Sequence, residues 1–109
     1  MPTTYKVLGQ SAPSATTATT LYTVPSVTST VVSTISVCNR DSASAQYRIA
    51  IRPAAATLAN QHYLVYDASL TGNSTDTVTI GVTLATTDVV TVYASTANFS
   101  FSAFGSELS

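Results

Sequence analysis

The chain has 109 residues and a mass of 11.3 kDa, the size of one domain with one core. Charged residues make up only 8% of it, with a formal net charge of -1, while 20 Thr and 15 Ser supply the solvating groups. That balance excludes phosphate binding by clustered cations and attraction to an anionic membrane, and Thr or Ser breaks every apolar run well short of a spanning helix.

Helical periodicity is missing and two-residue alternation recurs, which is the pattern of half-buried strands. Tyr5 to Gly9 reads as a first, weak strand. Residues 11 to 20 are of low Thr/Ser/Ala-rich complexity and read as a linker before a second weak strand, Leu21 to Val24. Val31, Ser33, Ile35 and Val37 form one row, with Cys38 on the other face beside Thr34 and Ser36. Tyr47, Ile49 and Ile51 alternate with Arg48, Ala50 and Arg52, so that strand has an apolar face and a basic one.

Ala54 to Asn60 can form either a helical turn or an irregular crossover, and His62 to Asp67 is a further weak strand. Val78, Ile80, Val82 and Leu84 opposite Thr77, Thr79, Gly81 and Thr83 make the clearest strand. Val90, Val92 and Ala94 oppose Val89, Thr91 and Tyr93, and Phe99 and Phe101 oppose Ser100 and Ser102. Pro13, Pro25, Asn39-Arg40-Asp41, Pro53, Thr71-Gly72-Asn73, Thr86-Thr87-Asp88 and Ala97-Asn98 punctuate these runs. Eight short strands separated in this way predict a single all-β domain, an antiparallel two-sheet β-sandwich of the immunoglobulin-like or jelly-roll kind. Its expected core is Ile35, Val37, Ile49, Ile51, Val78, Ile80, Val82, Val92, Phe99 and Phe101.

The lone Cys38 forms no internal disulfide and belongs to no cysteine-based zinc set. His62 is the single histidine and reads as a polar residue at a strand edge. Asp41, Asp67, Asp76 and Asp88 stand at strand boundaries, where Asx residues form turns; a calcium site from Asn73, Asp76 and Asp88 is the remote alternative. No catalytic set is recognised and no cofactor is expected.

Arg48 and Arg52 share a strand face and, with Arg40, hold three of the four cations. They read either as a solvated sheet or as an interface whose guanidinium forks pair with carboxylates such as Asp67 or Glu107 of a neighbouring subunit. Tyrosines at 5, 22, 47, 63, 66 and 93 add residues typical of interfaces, Tyr66 among them. Trp, the usual sugar platform, is absent.

The strings Tyr5-Lys6-Val7-Leu8-Gly9-Gln10, Val37-Cys38-Asn39-Arg40, Tyr47 to Pro53, Val92 to Thr96 and Phe101 to Glu107 together resemble small structural proteins of tailed bacteriophages, especially phages of aquatic bacteria. The resemblance spans nearly the whole chain and carries over no functional residues. It implies a non-enzymatic accessory protein of the virion, either decorating the capsid or attached to the neck or tail. The expected partners are other virion proteins and further copies of the chain in an oligomer or lattice, with no nucleic acid and no membrane. The start, Met1 to Lys6, lacks the basic and apolar regions of a signal peptide, so assembly in the host cytoplasm and residence in the virion are expected. A charge-poor sandwich also has few residues guarding its sheet edges, and assembly would cover them. The alternative function is a receptor-binding or glycan-binding module on the phage tail.

Overall fold

The computed structural model describes residues 3–109 and is all-β. Eight strands, β1 (Thr3–Ser11), β2 (Thr19–Thr23), β3 (Ser29–Asn39), β4 (Ala45–Arg52), β5 (Tyr63–Leu70), β6 (Ser74–Leu84), β7 (Val89–Ala94) and β8 (Phe99–Leu108), form two four-stranded antiparallel sheets. The first sheet has the order β1-β8-β3-β6 and the second β2-β7-β4-β5. β1 pairs with β8, β2 with β7, β3 with β6 and β4 with β5. This is the pairing of one long hairpin rolled up on itself, with β4 and β5 at its tip, and it makes the sandwich a jelly roll. No helix among the described residues is long and apolar enough to cross a membrane.

Between the sheets lie Val32, Ile35, Val37, Tyr47, Ile49, Val90, Val92, Phe99, Phe101 and Ala103, all nearly or fully buried. Tyr47 packs against Phe99 and Phe101 with ring centroids 6.1 and 6.3 Å apart, and its hydroxyl donates to Asp76 Oδ2 at 3.0 Å. Burial with that carboxylate beside it pushes the Tyr47 phenol up to about 12. Val78, Ile80 and Val82 point at the core but are only half-buried, because β6 is an edge strand with nothing beyond it. Ile51 is half-buried as well.

The row expected from Val31 to Val37 breaks in two. Val31 faces out, and Thr30 and Val32 face in, followed by Ile35, Val37 and Asn39. Ser33 is one extra residue between Val32 and Thr34 against β8, where the partners Gly105 and Phe104 are consecutive. A single inserted residue inverts the in/out phase of everything before it. Opposite, on β6, the bulge is accommodated by Gly81 at φ 56°, a conformation open to glycine at little cost.

The stretch 11 to 20 is more than a linker. It ends β1 and begins β2, and between them Pro13 is buried and the Thr16 amide donates to Ala94 O at 2.8 Å. The β4–β5 connection contains both forms left open by the sequence: short 3-10 turns at Pro53–Ala55 and Asn60–His62, with irregular chain between.

Candidate functional site

The outer face of the second sheet is organised around Arg48. β4 and β7 run in unbroken register, placing Arg48 opposite Tyr93. Against β5 the register slips: Tyr47 pairs with Ala68 and Ile49 with Val65, so Arg48 alone opposes both Tyr66 and Asp67. Asp67 absorbs the extra residue at φ 53°, which an aspartate tolerates better than most residues. The bulge thus delivers two consecutive β5 side chains to one arginine.

Asp67 Oδ1 accepts from Arg48 Nε at 2.6 Å and Oδ2 from Nη2 at 3.2 Å, a two-point fork. The guanidinium lies 4.2 Å from the ring centroids of both Tyr66 and Tyr93 and 5.9 Å from that of Tyr63. Hydrogen bonding to Arg48 holds the Asp67 carboxyl below the usual carboxylate range, and the same bond raises the guanidinium. Tyr63 meets Tyr66 at 4.9 Å and 82°, and Asn60, Tyr63 and Tyr66 line an open cavity of about 470 Å³.

The arginines expected to form a stripe all have partners within the chain. Arg48 finds its carboxylate within its own chain, and Glu107 is likewise taken, by Lys6 at 3.4 Å and by the Tyr22 hydroxyl at 2.5 Å. Arg52 stands four residues from Arg48, roughly 13 Å along the strand, and its Nε and Nη1 donate to Thr91 Oγ1 and Ala56 O at 2.9 and 3.0 Å. Arg40 is not on this face at all: it leaves the end of β3 and donates to Ser100 Oγ at 2.8 Å and to the carbonyls of Ala97 and Phe99.

His62, read as a polar residue at a strand edge, closes the turn that leads directly into β5. It is buried, and its Nδ1 accepts the Ala59 amide at 3.0 Å, which leaves the ring proton on Nε2. The calcium alternative fails on distance. Asp76 lies near the start of β6 and Asp88 beyond its far end, about 26 Å away by strand rise, and Asp88 is spent on the Ala54 and Ala85 amides at 2.9 Å each. Among the described residues no three His, Cys, Asp or Glu side chains converge on a metal-sized site.

Asn39 was legible only as a turn former, yet it is fully buried. Its Nδ2 donates to Ala43 O and Leu70 O at 3.0 Å each, and Oδ1 accepts the Asp41 amide at 2.9 Å. One side chain therefore ties the β3–β4 turn to the end of β5. Beside it, Asp41 is held below the usual carboxylate range by the Asn98 side chain and the Ala43 and Ser42 amides.

The outer face of the first sheet is built differently. Register and alternation place Tyr5 and Val7 of β1, Phe104, Ser106 and Leu108 of β8, Val31, Thr34 and Ser36 of β3 and Thr75, Thr77, Thr79 and Thr83 of β6 outward. None of these side chains is charged; charge reaches the face at its margins, where Lys6 joins the lining of the groove beside Tyr5 and Arg40 lies against the outward Ser100. All four cations and five anions of the chain have hydrogen-bonding partners elsewhere within it. Tyr5 is 83% exposed, and Val7, Val31, Phe104 and Leu108 are also exposed, with an open groove between Tyr5, Val31 and Phe104. No known protein family and no curated protein matches this chain.

Proposed function

We propose that this chain is a non-enzymatic accessory structural protein of a tailed-bacteriophage particle, decorating the capsid or attached to the neck or tail, and held there by protein–protein contacts. The observation that carries the reading is the outer face of the first sheet, where Tyr5, Val7, Val31, Phe104 and Leu108 form an exposed apolar band rimmed by Ser and Thr. In a chain whose every charge is already engaged internally, such a face is suited to burial against a neighbouring subunit. The resemblance of five strings to small phage structural proteins points the same way, and so does the jelly roll, a fold used in viral capsids, which supports the reading by analogy. Contacts then fall to the first sheet, since the forks of Arg48 and Arg52 have partners of their own.

The test is the double change Val31→Glu with Phe104→Glu, both outward-facing and compatible with the folded sandwich. The folded double variant should lose most of its copies from purified particles, counted by mass spectrometry against the major capsid protein. Wild-type copy number would remove the first sheet from the assembly surface.

A further inference from the structure

We infer that β6 is a self-pairing edge: two copies of this chain join by laying Ser74 to Thr79 antiparallel across a two-fold axis, so that their first sheets continue into one. The joint lies at the rim of the first sheet, outside the apolar band that carries the assembly role, and forms with or without a particle.

An edge strand turns half of its N–H and C=O groups away from the sheet, and folded chains commonly shorten, break or charge such edges. Three of the four edges of this sandwich are treated in that way. β1 is broken between Val7 and Gly9, carries Lys6, and closes on β2 where Gly9 leaves no room for a side chain beside the Leu21 carbonyl. β2 has five residues and a break between Thr20 and Tyr22. β5 slips twice against β4 and bears the Arg48–Asp67 pair. β6 is the exception. Its residues Ser74 to Thr79 pair one for one with Asn39 to Thr34 of β3, without a break, a proline or a cation. Among the described residues no element other than β3 bonds to their backbone. Val78, which points at the core, is left half-buried at this open flank.

The occupant that matches is a second β6. Ser74 to Thr79 need an unbroken strand opposite them, and the other three edges are interrupted, so head-to-tail addition leaves the ladder incomplete. A two-fold axis perpendicular to the sheet keeps the inner faces of both copies on one side, and then Thr opposes Thr while inner residues oppose inner residues. Charge and the bulge select the register. Centring on Asp76 sets two carboxylates face to face, whereas centring on Val78 carries Ile80 and the irregular ladder at Gly81 into the joint. Centring on Thr77 avoids both: Thr77 meets Thr77, Thr75 meets Thr79, and Asp76, which accepts from the Tyr47 hydroxyl of its own chain, meets Val78. The same axis turns both apolar bands to one side of the joined sheet, so a dimer offers two of them to a particle at once.

Sedimentation of the purified chain measures the joint. The wild type should sediment as two chains, and the Ser74 to Thr79 amides that turn away from β3 should exchange slowly with deuterium. Thr77→Lys, at an exposed position, sets two ammonium groups on the axis and should sediment as a single folded chain; Thr77→Glu should do the same. An equal mixture of these two variants should return to the two-chain mass. Thr83→Lys, outward on β6 beyond the bulge, and Val31→Glu with Phe104→Glu, on the outer face, should stay paired. A wild type of one chain with freely exchanging edge amides overturns the joint, as does a Thr77→Lys chain that still pairs or a Lys and Glu mixture that does not. Growth beyond two chains overturns the two-fold, and loss of pairing in the outer-face variant alone moves the contact to the apolar band. Particle occupancy is read separately and bears on the assembly role alone.

Discussion

The two outer faces of this sandwich are made from the same restricted palette and end up as opposites. On the first sheet, strands rich in Ser, Thr and a few large apolar residues present a face with charge only at its margins, ordered mainly by the β-ladder. On the second, one arginine gathers an aspartate and two tyrosines into a compact polar and aromatic cluster. The difference arises from a bulge. Without the slip between Tyr47 and Ile49, Tyr66 and Asp67 would point to opposite sides of β5, and Arg48 would have one of them only. In a charge-poor chain, local irregularity in the ladder decides where chemistry concentrates.

The sharpest way to probe that contrast is to compare what lies beneath a face with what lies on it. Phe101→Ala should destabilise the domain by about 3 to 5 kcal/mol, while its outward neighbour Ser102→Ala should stay within about 0.5 kcal/mol; denaturant midpoints measure both. Equal costs would break the inside/outside assignment of β8.

Next in size is Asn39→Ala, at about 2 to 3 kcal/mol, because it leaves the buried Leu70 carbonyl, and with it the Ala43 carbonyl and the Asp41 amide of the turn, without their partner. Asn39→Asp should not rescue it, since a carboxylate cannot donate to those two carbonyls. Ile80→Ala, on the exposed edge of the first sheet, should cost only about 1 to 2 kcal/mol against about 2 to 5 for Ile35→Ala in the fully buried β3. A reversal of that order would mean that β6 is covered in solution beyond Thr79, where its bulge begins.

The smallest effects are titrations. Tyr47 and Tyr22, the latter pushed up by burial and by Glu107, ionise at about 12 in the folded chain, whereas an unfolded tyrosine ionises near 10. The phenols are retained protonated by folding, so their contribution is full below pH of about 10 and is lost as the pH rises towards about 12. Thermal midpoints should be flat through neutral pH and fall above about 10, with a shallower fall in Tyr47→Phe. Asp67 has the opposite sign: its lowered ionisation gives stability above the usual carboxylate range that is lost on acidification, and in Asp67→Asn that acid-side loss should shrink. High salt should weaken this exposed pair and leave the apolar band of the first sheet unaffected.

The two aromatic strands show how far the chain can be read in advance. Phe99 and Phe101 face inward as their alternation requires, because the extra residues in the two ladders of β8 lie on β1 and β3 and not on β8 itself. Tyr66 was recognisable as a surface aromatic and Asp67 as an anion near Arg48, but the expected pairing was with another subunit. Nothing local distinguishes a partner 19 residues along the chain from one on a neighbour. Ser33 carries no visible mark of a bulge, and the mark that exists, Gly81 inside a strand pattern, stands on the neighbouring β6 and not on β3, so alternation alone sets Val31 on the wrong face.

The sequence by itself determined that the protein is all-β, roughly where its strands run and that Phe99 and Phe101 of β8 face inward, since two-residue alternation is a local property of each strand; the burial of Ala50, Val89 and Thr91 on the other face of their strands was not legible in it. Tertiary structure alone decided that the sandwich is a jelly roll, that Arg40 stands apart from Arg48 and Arg52, and that Asn39 and His62 are buried structural ties. Those features depend on which strand lies beside which and in what register. Strand order and register are set by the summed packing of both sheets, in which a one-residue slip exchanges inside for outside.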